Sequence, residues 1–161
     1  MSTIAAFHRV TQEQFAADAA AFRDIPAVET IPLPRRATAG SAGYDFVTPV
    51  PVTLQPGESC TIPTGIRASM EAGWVLMIFP RSSLGFKHST MLANTVGIID
   101  SDYFHAANQG HIMVRLTNRG DHPLQLASGE RFCQGIFLPY GLAQEEAVAG
   151  ERTGGMGSTG K

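Results

Sequence analysis

Hydrophobic and polar positions alternate differently in the two parts of this chain. Near the start, Thr11-Gln-Glu-Gln14 has the form of a capping box. Phe15, Ala19 and Phe22 then recur on one face of a 3.6-residue repeat, until Ile25-Pro26 ends it. This predicts a short N-terminal helix, and no other segment reads as helical. From Pro26 onward, glycine and proline interrupt the chain at short intervals, from Pro32 and Pro34 through Gly40, Gly43 and Pro49 to Gly129 and Pro139. Turn signals at roughly 8–12-residue spacing predict an all-β sandwich or barrel. Ile112, Val114 and Leu116 alternate with polar or flexible neighbours, and Leu124 and Leu126 repeat that period, as half-buried strands do. Trp74 to Phe79 is continuously apolar and predicts a strand buried on both faces.

Composition narrows this to one domain. The chain has 161 residues, 43% of them hydrophobic and 16% charged, which suits a packed core and excludes a disordered chain. A formal net charge of −2, with no basic run longer than Arg35-Arg36, offers no nucleic-acid-binding surface. The longest apolar stretch is too short to cross a membrane. The first residues show no charged-then-apolar leader, and Cys60 and Cys133 read as two small buried side chains, so a cytoplasmic protein without disulfides is expected. Histidines 8, 88, 105, 111 and 122 show no zinc-ligand spacing with the cysteines, and packing or surface roles are expected for them.

Three segments carry candidate chemistry. The glycine-rich end, Gly155-Met-Gly-Ser-Thr-Gly160-Lys161, matches much of a P-loop but stops where the helix should begin, so that mechanism is not available to it. It reads either as a mobile tail or as a flap whose amides, with Arg152, Ser158 and Thr159, close on phosphate. Pro80-Arg-Ser-Ser-Leu-Gly85 follows the apolar strand; its guanidinium and paired hydroxyls form either an ordinary turn or a phosphate holder. In Asn94-Thr-Val-Gly-Ile-Ile-Asp100-Ser-Asp-Tyr103, Asp100 and Asp102 are two apart, and continuation of the strand would put both on one face. A carboxylate beside bound phosphates can serve as general base toward water.

Together, Ala39-Gly-Ser-Ala-Gly-Tyr-Asp45-Phe, Pro80-Arg-Ser-Ser-Leu, Asn94 to Tyr103, Gly129-Glu-Arg-Phe-Cys-Gln134 and Arg152 to Gly160 resemble the five ordered motifs of the trimeric dUTP pyrophosphatases, the dUTPases. The resemblance implies a jelly-roll homotrimer with three active sites, each built from all three chains. It implies organisation into an N-terminal segment with a short helix (1–25), a β domain (26–146) and a glycine-rich tail (147–161). By position in those motifs, Asp100 corresponds to the carboxylate that activates the attacking water. Tyr103 corresponds to the aromatic packed on the deoxyribose, and Asn94 with the backbone of Gly97 to Ile99 to the hairpin that reads uracil. Arg81, Ser82 and Ser83 correspond to phosphate holders, and Gln134 to the glutamine near the α-phosphate. Asp45 corresponds to a carboxylate supporting the metal–phosphate arrangement through water, with Mg²⁺ held by the triphosphate and waters and by no side chain directly. Arg152, Gly157 and Ser158 correspond to tail residues closing over the triphosphate, and Met156 stands where the family has an aromatic over the base.

The implied reaction is hydrolysis of dUTP to dUMP and pyrophosphate, which limits uracil incorporation into DNA and supplies dUMP. Two features depart from the commonest pattern: Met156, and the stretch 104–109 between Tyr103 and Gly110. That insert and the N-terminal helix resemble a variant of some bacterial and phage members, and either is also a candidate surface for a regulatory protein partner. A dCTP deaminase shares the fold and the Arg-Ser-Ser turn. Arg115 stands where that family has its catalytic glutamate, which counts against it. A nucleotide-dependent regulatory protein of the same fold is the other alternative.

Overall fold

Short strands joined by tight turns make up nearly all of the regular structure, as the spacing of glycine and proline requires. The computed structural model describes residues 2–144 and residue 154. In chain order the elements are β1 (Ala5–Arg9), α1 (Gln12–Asp18), β2 (Arg35–Arg36), β3 (Tyr44–Val47), β4 (Val52–Leu54), β5 (Ser59–Pro63), β6 (Ile66–Met70), β7 (Trp74–Pro80), α2 (Ser82–His88), β8 (Thr90–Leu92), β9 (Gly97–Ile99), β10 (Met113–Asn118), β11 (Leu124–Leu126) and β12 (Arg131–Pro139). Single 3-10 turns lie at Val28–Thr30 and Ser101–His105. The largest sheet runs β2-β3-β12-β7-β9; β5-β10-β8, β1-β6 and β11-β4 complete the set, all antiparallel.

The core lies between these sheets. Phe46, Leu76, Ile78 and Phe132 from the largest sheet are buried together with Ile62, Ile112 and Leu116 from the opposing layer. β10 and β11 bury alternate residues, Val114, Leu116 and Asn118 in one and Leu124 and Leu126 in the other, as their periodicity predicts. β7 corrects the expectation of a strand buried on both faces. Leu76 and Ile78 are buried, whereas Trp74, Val75, Met77 and Phe79 are only partly covered.

Three further expectations are corrected. The N-terminal helix stops at Asp18, short of Ile25-Pro26, although Thr11 caps it as expected by accepting the Gln14 N–H at 3.3 Å. Phe15 and Ala19 are buried, and the chain must then turn back so that the Val28 N–H reaches Gln12 Oε1 at 2.7 Å. Tertiary packing overrides helix propensity here. A strand, β1, precedes that helix and pairs with β6 from Ala5↔Met70 to Arg9↔Ile66. Its Phe7 lies against Tyr44, Phe46 and Phe137, with ring centroids 5.3–5.6 Å apart. Finally, the Arg-Ser-Ser segment opens a second helix, α2, rather than a turn. Seven residues with only Leu84 buried leave too little periodicity to be read from sequence.

His111 ties the N-terminal segment to this core. It is completely buried; its Nε2 accepts the Gly65 N–H at 2.8 Å and its Nδ1 lies 2.6 Å from Asp18 Oδ2. Because Nε2 is an acceptor, the ring proton sits on Nδ1 and is donated to Asp18. Burial lowers the His111 pKa below its ordinary value, with Asp18 opposing the shift. The unfolded chain therefore binds a proton that the native state refuses. The stability this group contributes is full above about pH 6.5, the unfolded value, and is lost as pH falls toward the folded value. Between pH 7 and 5, thermal unfolding of the wild type should lose stability by up to about 1.4 kcal/mol per pH unit from this site. His111→Gln should start lower and show a shallower slope over the same range; an unchanged slope would remove the histidine from the effect.

Candidate active site

β12 brings three of the sequence motifs to one place. Its Gln134 sits opposite Asp45 of β3 on one side and Phe79 of β7 on the other, while Phe132 O accepts the Arg81 N–H at 3.1 Å. Asp45, Arg81, Ser82, Ser83 and Gln134 thereby line a single cleft of about 480 Å³, with Ser41, Ala42 and Gly43 along its rim. A Cβ on Gly43 would lie 2.5 Å from Gln134 Oε1, so a larger residue there would displace the end of the glutamine side chain.

Asp45 is the electrostatic centre of the cleft. Its Oδ1 lies 3.3 Å from Arg81 Nε and its Oδ2 3.0 Å from Arg131 Nη1, and the carboxylate is largely covered. Arg131 is a site residue that sequence reasoning missed. Strict alternation puts residues 131 and 134 on opposite faces of β12, but the register shifts between Arg131 and Cys133. This bulge lets Arg131 pair with Val47 and Gln134 with Asp45, so both share the Asp45 face. The quoted Gly129-Glu-Arg run was the available signal. Behind it, burial and the Asp45 charge push the Cys133 thiol well above its ordinary range, and both cysteines are free.

The third motif is elsewhere on the chain. Asn94, Gly97 and Ile99 line a separate cavity of about 40 Å³ with Ile78, Leu92, Met113 and Val114. β9 holds it in place by pairing Gly97 with Ile78 and Ile99 with Leu76. The strand ends at Ile99, so Asp100 and Asp102 do not share a strand face as expected. Asp100 is the half-buried residue that caps the 3-10 turn, and Asp102 lies exposed within that turn. Tyr103, in the same turn, is 3% exposed, and its hydroxyl donates to the His111 carbonyl at 2.8 Å. Neither Asp100 nor Tyr103 lines either cavity.

Arg152, Met156, Gly157 and Ser158 lie outside the described residues. The 104–109 insert packs inward: Phe104, Ala106, Asn108 and Gln109 are at least partly covered, and the Arg67 guanidinium stacks 3.6 Å from the Phe104 ring centroid. Among the described residues, no cluster of three or more histidine, cysteine, aspartate or glutamate side chains converges as metal ligands. None of their helices is long and apolar enough to cross a membrane.

In a mostly β protein, the cleft sets a guanidinium, two serines, a glutamine and a shielded carboxylate beside one another, and the guanidinium and hydroxyls are groups that can hold phosphate oxygens. Residues 29–160 match the family model of dUTPase. The chain is 44% identical over 133 residues to the deoxyuridine 5'-triphosphate nucleotidohydrolase of Lactococcus lactis, spanning 81% of this chain and 89% of that one. Its fold superimposes on the crystal structure of dUTPase from Streptococcus mutans with a TM-score of 0.67 and 35% identity, covering 85% of this chain and 97% of the other. A mutant dUTPase from phage phi11 of S. aureus, 17% identical, shares the fold at a TM-score of 0.66 over 91% and 97% of the two chains. That structure describes the coordination of a structural Mg(II) ion in the phage protein. The chain belongs to the dUTPase family.

Proposed function

We propose that this chain hydrolyses dUTP to dUMP and pyrophosphate, in a homotrimer whose sites are shared between protomers. The observation that carries the reading is the convergence of Asp45, Arg81, Ser82, Ser83 and Gln134 on one cleft, apart from the small apolar cavity of the Asn94–Ile99 hairpin. The first set suits a triphosphate and the second a flat base. A nucleotide spans both if the hairpin is supplied by a neighbouring chain.

In this reading Asp100 takes a proton from a water as its oxygen attacks the α-phosphorus. The bond to the bridging oxygen breaks, and pyrophosphate leaves with that bond's electrons. Arg81, Ser82 and Ser83 hold the phosphate oxygens, and Gln134 orients the α-phosphate. Magnesium, which the substrate's triphosphate and waters would hold, would neutralise charge on the leaving group. Asp45 fits an indirect role toward that ion, because both its oxygens already face guanidinium groups. The backbone of Gly97 to Ile99 with Asn94 complements the N3–H and carbonyls of uracil. Cytosine inverts part of that pattern and would leave buried polar groups unpaired.

A nucleotide panel tests this. With Mg²⁺, dUTP should yield dUMP and pyrophosphate, while UTP, dTTP, dCTP and dATP turn over poorly. The extra methyl of dTTP should be disfavoured by a finite factor, since one misfitted methyl is worth about 1–3 kcal/mol. Ammonia released from dCTP would overturn the assignment in favour of a deaminase.

A further inference from the structure

We infer that Asn108, in the 104–109 insert, is a positioning residue for Tyr103. Its amide holds the tyrosine hydroxyl so that the ring stays at one depth beneath the sugar. The inference rests on the reading of Tyr103 as the residue that faces the deoxyribose.

The hydroxyl of Tyr103 is held from two directions. It donates to the His111 carbonyl at 2.8 Å, and Asn108 Nδ2 donates to it at 2.8 Å. Each of these partners is itself fixed. Asn108 Oδ1 accepts the Gly110 N–H at 3.2 Å. Gly110 has φ +71°, and a Cβ there would lie 2.6 Å from the Tyr103 carbonyl oxygen, so only glycine lets the chain close on the turn. His111 is held at both ring nitrogens by Gly65 and Asp18. The next residue of the insert, Gln109, closes on Thr11, accepting its N–H at 2.9 Å and donating to its hydroxyl at 3.1 Å.

The tyrosine hydroxyl thus has one donor and one acceptor bond within the protein and needs nothing from a ligand. Its purpose in this arrangement is to fix the far end of the ring. Excluding a 2′-hydroxyl is a steric matter, and a wall that can recede by a few tenths of an ångström excludes poorly. The insert is therefore tied to sugar selectivity from behind the ring.

The test compares kcat/KM for dUTP and UTP in the full-length protein, with melting temperature as a second readout. Asn108→Asp keeps the side-chain shape and the acceptor for Gly110 but cannot donate to Tyr103. It should lower the dUTP-to-UTP preference at least about fivefold while kcat on dUTP stays within about threefold. Tyr103→Phe, which removes this bond and the one to the His111 carbonyl, should lower the preference at least as far, and the double variant no further than Tyr103→Phe, because the Asn108–Tyr103 bond is then already gone. Should Asn108→Asp fail to fold, Tyr103→Phe and Asn108→Ala carry the same expectation.

Tyr103→Leu separates the two layers of the argument. If it relaxes the preference while Asn108→Asp and Tyr103→Phe leave it within twofold, the positioning role is overturned and the sugar reading stands. If Tyr103→Leu itself leaves the preference unchanged, the reading of Tyr103 falls first. A drop in melting temperature with an unchanged preference would make Asn108 structural only, which also overturns the inference.

Discussion

Asp100→Asn lowers kcat on dUTP by roughly 10²-fold or more, the usual share of a general base, and leaves folding and nucleotide binding intact. Asp100 sits directly after buried Ile99 at the end of β9, and its backbone carbonyl accepts the Tyr103 N–H at 3.2 Å. Those backbone contacts survive the change to an amide of the same shape. What disappears is the ability to accept a proton from water. Single-turnover kinetics with a parallel binding measurement distinguish the effects: kcat should fall while the dissociation constant for a non-hydrolysable dUTP analogue stays close to wild type. Near-normal turnover would move the base elsewhere, and the exposed Asp102 is the first place to look.

Deleting residues from Glu151 onward removes most of the activity and leaves a folded trimer, as the full chain should be, near three times 17.2 kDa by light scattering. The segment has four glycines and little apolar surface to contribute to the core. In the proposed reaction it supplies Arg152 and Ser158 to the phosphates and a cover over the base. Met156 can provide that cover, because a sulfur–aromatic contact is worth roughly 0.3–1.5 kcal/mol and an aromatic pair roughly 0.5–1.5 kcal/mol. Met156→Phe therefore changes kcat/KM by no more than about tenfold, and Met156→Gly costs more than that exchange. A truncated chain that hydrolyses dUTP at the full-length rate refutes the flap, and an active monomer refutes the shared site.

Local patterning made the strand-rich architecture readable. Val114 with Leu116 and Leu124 with Leu126 announce half-buried strands because their environment repeats every two residues. The cleft was legible in its motif residues, since Asp45, Arg81, Ser82, Ser83 and Gln134 do line one cavity. What escaped was set by distant partners. Nothing local marks Ala5–Arg9 as a strand, because its pairing depends on β6 and the packing of Phe7 on Tyr44, Phe46 and Phe137. Arg131 escaped because a bulge breaks the period-two rule that alternation assumes. The inward packing of the insert escaped because Arg67 and Thr11 lie far from it in sequence.

That dependence on distant partners has a consequence for the order in which the chain matures. Thr11 meets Gln109 across 98 positions and Asp18 meets His111 across 93. The stretch from β1 through α1 leaves the ribosome well before those partners, and α1 is too short to hold a helix alone. At synthesis rates of about 5–20 residues per second, it waits on the order of 5–20 s for the residues that pair with Thr11 and Asp18 to be made. During that interval Phe7, Phe15 and Phe22 are apolar side chains without a destination, within reach of any chaperone that binds such segments. The segment that carries β1 and α1 is made early relative to its partners and finds its place late.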